Sequence, residues 1–371
     1  MKFEVNSITF FKFVNQINKA RNKNNINLNL SNLYFEVNNN TLIGRATNLE
    51  ISCETTIIVK GLINGNCLIN GEIITKIVNS FNSLDININC EIIDNILNLN
   101  YQKNKIQIKT TNFEEFPIIN KTGDIIASIK LKTFINLIKS VSFSVASTEI
   151  KPEISSIYIY SQNNNLYAVA TDSFRLSEKK IDFKLNENSD LNILISQKCI
   201  KEALSILDQL NENENVNIYK NKNSLTFKVL ETNITINSVN GNFPDYKQLF
   251  PNEFVTKIKT NKEELKNILN LSTVFINNYS YIEMDLNIEN KTLKIKSKND
   301  LIGSIEKEIN IYSISGGENI LVSYNSNYFL EGLAHIEGDE IELSFINNTR
   351  PMFIKNPKDL SFVYLLMPIN R

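Results

Sequence analysis

The sequence predicts an α+β fold in which one unit, two helices packed on antiparallel sheet, is used three times. Three observations predict it. Amphipathic helical segments return at a period of about 125 to 130 residues. After each second helix comes an alternating stretch of half-buried strand. Turn punctuation divides the chain near residues 122 and 252, giving units 1–122, 123–252 and 253–371.

Each element follows from its residues. Phe10, Phe13, Val14 and Ile17 stand at helical spacing and open the first unit; Leu131, Phe134, Ile135 and Ile138 open the second, and Leu265, Ile268 and Leu269 the third. The second helices carry Ile74, Ile77, Val78 and Phe81; Ile200, Ala203, Leu204 and Leu207; and Phe329, Leu330, Leu333 and Ile336. Directly after them, Asp85-Ile86-Asn87-Ile88, Asn215-Val216-Asn217-Ile218 and Glu340-Ile341-Glu342-Leu343 alternate with period two. Leu97 to Tyr101, Leu225 to Val229 and Met352 to Ile354 read as the returning strands. Phe116-Pro117 with Lys121-Thr122-Gly123-Asp124 closes the first unit, and Asn242 to Tyr246 with Pro251 closes the second.

Composition bounds the function. Lys plus Arg at 39 against Asp plus Glu at 40 leaves a net charge of −1, so nucleic-acid contact requires a local patch. Hydrophobic residues at 42% and charged residues at 21% are those of a globular chain. Cys53, Cys67, Cys90 and Cys199 are scattered singly, which encodes neither a zinc site nor a disulfide framework and points to a reducing compartment. Glu4, Asn6 and Lys12 break any apolar leader, and no later run is long enough to span a membrane; we expect a soluble, cytoplasmic protein with no membrane partner.

Catalytic motifs are absent from the sequence. The single histidine, His335, has no accompanying Ser or Cys motif and reads as a helix-surface or interfacial residue. No nucleophile elbow, P-loop or clustered carboxylate set occurs, so we expect no catalytic residue, no metal and no cofactor. The helices offer lysine instead: Lys12, Lys19 and Lys23 on the first, Lys76 on the second, Lys132 and Lys139 on the third, Lys198 and Lys201 on the fourth, and Lys262 and Lys266 on the fifth. A solvated face explains any of them singly. As a set they fit a positive surface that follows a phosphate backbone without reading bases.

Ala170-Thr171-Asp172-Ser173-Phe174-Arg175-Leu176, Gly241-Asn242-Phe243-Pro244-Asp245-Tyr246 and Leu365-Leu366-Met367-Pro368-Ile369 together resemble the bacterial sliding clamps, the beta subunit of DNA polymerase III. Met1-Lys2-Phe3, Glu115-Phe116-Pro117 and Asn348-Thr349-Arg350-Pro351 fall in the expected order, so the resemblance covers the whole chain. It implies the DNA clamp fold and a head-to-tail homodimer that encircles double-stranded DNA without sequence preference. Its helices line the hole, with Lys12, Lys19, Arg21, Lys23, Lys76, Lys132, Lys139, Lys198, Lys201, Lys262 and Lys266 facing DNA. It implies that Ile106, Ile108, Val274 and Phe275 sit at the dimer interface. It also implies a cleft for the replicative polymerase, the clamp loader and other proteins carrying a short linear motif. That cleft maps to Ile154, Thr171, Phe174, Arg175, Leu176, Pro244, Leu249, Tyr279, Asn325, Tyr328, Leu366, Met367, Pro368 and Ile369.

Three departures from the family pattern stand out. Ser173-Phe174 occupies a position commonly Gly-His, Gln248 replaces a basic residue, and Asn24-Asn25 stands where Arg-Pro is common, with Arg21 and Lys23 nearby. Two other classes fit the sequence less well than the clamp. A β-rich adhesin-like protein is disfavoured by the lysine-bearing helices. An enzyme acting through Asp172 and Arg175 is disfavoured because an Asp-Arg pair at a turn is ordinarily structural.

Overall fold

We describe the chain from a computed structural model, over residues 1–23, 30–81, 85–111, 116–117, 123–148, 150–183, 190–275 and 281–369. The first run of elements is β1 (Lys2–Asn6), α1 (Ser7–Asn18), β2 (Asn32–Asn38), β3 (Thr41–Thr47), β4 (Ile51–Ile58), β5 (Lys60–Ile63), β6 (Gly65–Asn70), α2 (Gly71–Asn79), β7 (Asn87–Ile93), β8 (Ile96–Tyr101) and β9 (Asn104–Thr111). The second is β10 (Asp124–Lys130), α3 (Leu131–Ser142), β11 (Ser156–Gln162), β12 (Asn165–Thr171), β13 (Arg175–Asp182), β14 (Asn192–Ser196), α4 (Gln197–Leu207), β15 (Asn215–Asn221), β16 (Ser224–Val229) and β17 (Thr232–Asn237). The third is β18 (Thr256–Asn261), α5 (Lys262–Ser272), β19 (Tyr281–Asn287), β20 (Thr292–Asn299), β21 (Gly303–Gly316), β22 (Ile320–Asn325), α6 (Ser326–Ala334), β23 (Glu340–Phe345), β24 (Met352–Lys355) and β25 (Phe362–Leu366). The order strand, helix, strands, helix, three strands thus recurs three times, with β5 an addition to the first run.

The helices begin where the sequence supplies caps. Asn6, Asn70, Asn261 and Asn325, together with Ser196, accept hydrogen bonds from backbone N–H groups in the first turns of α1, α2, α5, α6 and α4. Phe81 and Ile336, read as the last residues of helical stripes, lie just past α2 and α6, and β7 begins two residues after Asp85. Asp85 instead receives the Asn6 side-chain amide at 2.6 Å.

By contacts the chain forms two compact units. One comprises residues 1–135, 184–191 and 195–238, the other 136–183, 192–194 and 239–371. The first unit holds a 13-stranded sheet in the order β10-β15-β16-β17-β4-β3-β2-β6-β9-β8-β7-β1-β5. Phe10 and Phe13 of α1 pack on Phe35 at ring separations of 6.0 and 5.5 Å, so this helix stripe covers the sheet with aromatic area. The second unit holds a 12-stranded sheet in the order β14-β11-β12-β13-β25-β24-β23-β18-β21-β20-β19-β22. Its core gathers Leu265 and Leu269 of α5 with Phe329 and Leu333 of α6 over Ile258, Ile295, Leu343 and Tyr364. Gly332 is required by that packing, because a Cβ there would stand 2.2 Å from the Tyr364 ring.

Two strand pairs connect elements of successive runs, and they use equivalent strands. In the first unit β17 pairs antiparallel with β4, Ile234 opposite Cys53. In the second, β25 pairs antiparallel with β13, Tyr364 opposite Ser177. The remaining equivalents are β9 and β21. β9 pairs with β8 over Asn104–Lys109 and meets β6 only at Thr110 and Thr111. β21 pairs with β20 over Gly303–Asn310 and turns to β18 only from Ile311 onward. Among the described residues, then, Asn104–Lys109 and Gly303–Asn310 each leave one strand edge unpaired, a state that favours addition of another strand.

Candidate functional site

The cleft residues lie in the second unit, and its center is the turn between β12 and β13. Asp172 organises that turn: its Oδ1 accepts from the backbone N–H of Phe174 and Arg175 at 2.9 and 3.0 Å. Thr171 Oγ1 donates to the Arg175 carbonyl at 2.6 Å and accepts from Ser173 N–H at 3.1 Å. Ser173 is thereby held at φ 77°, a left-handed conformation for which glycine is better suited. The Phe174 carbonyl accepts from Met367 N–H at 2.9 Å, so the backbone of Phe174 is pinned on both sides while 62% of the residue stays exposed. Ile369 N–H donates to the Ser323 carbonyl at 2.8 Å, which carries the C-terminal segment onto β22.

Arg175 is only 8% exposed and its donors are committed internally. Nε bonds Asp172 at 2.9 Å, Nη1 bonds Glu331, Nη2 bonds the Phe143 carbonyl at 2.9 Å, and the guanidinium lies 4.2 Å from the Tyr328 ring centroid. Burial opposes the charge, but the Glu331 and Asp172 carboxylates outweigh it and hold the arginine pKa above its ordinary value. Nearby, His335 caps the end of α6 and stacks on Phe143 at 4.0 Å, an interfacial role within the unit.

The mapped residues divide by exposure. Leu176 and Leu366 are buried in this chain, Leu176 with Tyr160, Val169, Tyr246, Phe353 and Leu365 and Leu366 with the core that contains Tyr364 and Phe329. Thr171 and Arg175 are likewise buried and shape the turn. Phe174 and Pro244 are exposed, and Ile154, Leu249, Tyr328, Met367, Pro368 and Ile369 are half-buried, so these present apolar surface. Asn325 caps α6 through Asn327 and Tyr328 N–H. Ile154 and Pro244 sit on separate turns, their carbonyls accepting from Ala146 and Tyr246 N–H. Tyr279 lies outside the described residues.

The cations expected on the helices are differently placed. Lys76 pairs with Glu72 at 2.6 Å, Lys132 with Glu212 at 3.3 Å, Lys198 with Glu50 at 3.1 Å and Lys266 with Glu263 at 3.6 Å. Lys262 is tied to the Ile336 carbonyl at 2.6 Å. Arg21 is buried, donates to Asn18 and the Asn22 carbonyl, and lies where a side chain on Gly71 would collide with it. Burial draws its pKa below the ordinary arginine value. Lys23, Lys139 and Lys201 are exposed. Lys12 and Lys19 differ, since among the described residues neither carries an ion pair, and both line a groove of about 520 Å³ with Phe11, Asn15, Gln16, Gln209 and Leu210. The amides in this groove were missed by sequence reasoning, although Asn15 and Gln16 lie between the two lysines on one helix face.

The interface residues are also mixed. Ile108 is buried opposite Leu97 in its own sheet, whereas Ile106 is half-buried. Val274 is 59% exposed and Phe275 packs toward Gly303. Beside them, at the turn between β20 and β21 and unanticipated, are Leu301 at 97% and Ile302 at 63% exposure, an apolar patch of the kind that marks an interaction surface.

The twice-joined, thrice-repeated strand and helix order defines a sliding-clamp fold. It matches the DNA polymerase III beta subunit of Pseudomonas aeruginosa with a TM-score of 0.93, 20% identity and complete coverage of both chains. It matches the sliding clamp of Bacillus subtilis with a TM-score of 0.93 and 22% identity over 100% of this chain and 99% of that one. Family models of the N-terminal, central and C-terminal domains of the DNA polymerase III beta subunit match residues 1–120, 128–245 and 247–370. The beta sliding clamp of Staphylococcus epidermidis is 24% identical over 370 residues, covering 96% of this chain and 97% of the relative. The chain belongs to the DNA polymerase III beta subunit family, the sliding clamps of DNA replication.

Proposed function

We propose that the chain forms a head-to-tail homodimer of three clamp domains per copy, 1–122, 123–252 and 253–371, closed around double-stranded DNA. The observation that carries this reading is the pair of unused strands: β4 and β13 are each joined by a last strand of the following run, while β21 and β9 retain open edges at Gly303–Asn310 and Asn104–Lys109. Repetition of the same join between copies satisfies both edges and covers Val274, Leu301 and Ile302. Lys12 and Lys19, with the other exposed lysines, contact phosphates weakly enough for sliding. The apolar set of exposed Phe174 and Pro244 with half-buried Met367, Pro368 and Ile369 receives short peptide motifs of the replicative polymerase, the clamp loader and other clients. We assign the chain no catalytic site, because Arg175 and Asp172, the pair weighed for catalysis, are engaged with one another and with the fold.

Topology supplies the test. Protein loaded by a clamp loader onto nicked circular DNA is expected to stay bound through gel filtration and to be lost when the circle is cut. Equal retention on linear and circular DNA would show ordinary affinity in place of encirclement.

A further inference from the structure

β13 presents different chemistry on its two faces. Arg175 and Ser177 bond the Phe143 and Val141 carbonyls at the end of α3, so the strand's alternation sends Leu176 and Glu178 to the opposite face. There Leu176 packs with Tyr160, Val169, Tyr246, Phe353 and Leu365. Glu178 stands between Val169 of β12 and Val363 of β25. It is a carboxylate only 8% exposed among apolar neighbours, a costly position unless the charge is paired and hydrogen-bonded.

Two donors answer it, and both come from the connector of residues 242–250 between β17 and β18. The Tyr246 hydroxyl donates to Glu178 Oε2, and Lys247 Nζ donates to the same oxygen at 2.6 Å. A phenol has one hydrogen to give, so Tyr246 accepts in its 2.8 Å bond with Tyr160. Burial, and then the Glu178 carboxylate, raise the Tyr246 phenol pKa well above its ordinary value and keep it a donor. Lys247 Nζ also lies 5.1, 4.9 and 5.0 Å from the ring centroids of Tyr167, Tyr246 and Phe250. The same connector carries two residues of the proposed peptide surface: Pro244, whose carbonyl accepts from Tyr246 N–H at 2.7 Å, and Leu249, packed against the Leu176 cluster. Phe174 and Met367, the opposite part of that surface, are bonded to each other at the start of β13. We infer that Glu178 is a positioning residue for peptide capture, tying the connector to β13 and thereby holding Pro244 and Leu249 in fixed relation to Phe174 and Met367. The inference rests on the peptide-surface reading and adds the group that preorganises that surface, which lowers the ordering cost of binding.

Stopped-flow anisotropy of the full chain with a fluorescein-labelled peptide carrying the clamp-binding motif tests it. Glu178→Gln keeps the side-chain volume and one acceptor oxygen but releases Lys247, and Tyr246→Phe keeps the ring while removing the hydroxyl. Each is expected to weaken the peptide by about three- to tenfold through the association rate constant, because a smaller fraction of chains holds the connector in place, with dissociation within about twofold of wild type. Met367→Ala, which removes a contact, is expected to act mainly on dissociation. Amide hydrogen exchange over residues 245–250 should quicken by about tenfold in Glu178→Gln, while the Phe174 and Arg175 amides keep their wild-type protection and show the β13 turn intact. Peptide kinetics unchanged in both variants, a loss confined to dissociation, or unchanged exchange in the connector would overturn the positioning role. A wild-type chain that binds no peptide would overturn the peptide-surface reading itself.

Discussion

Arg175 and Leu176 are adjacent, both near the proposed peptide site, and both buried, yet neither is expected to behave as a contact residue. Leu176 packs with Tyr160, Val169, Tyr246, Phe353 and Leu365, so Leu176→Ala leaves a cavity and is expected to cost about 2 to 4 kcal/mol in urea unfolding. Met367→Ala removes half-buried surface at the outer end of the β13 and β25 pair and is expected to leave stability within about 0.5 kcal/mol. It should weaken a fluorescent clamp-motif peptide by about 1 to 3 kcal/mol, measured by anisotropy. Reversal of those two outcomes would exchange the assignments of core and contact. Asn261 gives a cleaner local test, since its side chain accepts from Glu264 N–H at 2.9 Å to start α5. Asn261→Ala is expected to cost about 1 kcal/mol by the same unfolding measurement.

At the scale of elements, helix charge matters only where it is not already neutralised. α1 and its C-cap present Lys12 and Lys19 at their groove with no ion pair among the described residues, whereas Lys76 of α2 and Lys266 of α5 are each paired on their own helix. The Lys12→Glu, Lys19→Glu double variant is therefore expected to bind duplex DNA more weakly and to lower the slope of log affinity against log salt by about two. Lys76→Glu should change that slope by less, and equal changes would remove α1 from the DNA-facing surface. The helices themselves were legible because their apolar stripes are local and periodic, as Phe10, Phe13, Val14 and Ile17 show. Their ends were less so: Phe81 and Ile336 continue the apolar spacing after the backbone has left the helix, since burial rewards them in either conformation. The burial of Arg21 was not legible for a related reason, because sequence shows its charge but not the Gly71 backbone that admits its stem.

At the scale of the molecule, threefold repetition was readable in the sequence, while the pairings that join the repeats were not. β4 meets β17 across nearly half the chain, and nothing in the alternation of Thr232 to Ile236 distinguishes an own-hairpin partner from a distant one. Those joins nevertheless carry the strongest consequence of the fold, because they leave β9 and β21 as the places where stability passes from the chain to the assembly. Among the described residues each copy on its own exposes two open edges together with Leu301, Ile302 and Val274, and the head-to-tail closure we propose covers them in the folded state only. Closure therefore binds the native chain and not the unfolded one, which couples thermal stability to concentration. Raising the protein concentration to about a hundredfold above the dimer dissociation constant is expected to favour the folded dimer by about 2.7 kcal/mol and to raise Tm by several degrees. Scanning calorimetry across that range reads the shift directly, and a flat Tm for a protein that is dimeric by mass would show that the seams form without adding to the stability of the chains they join.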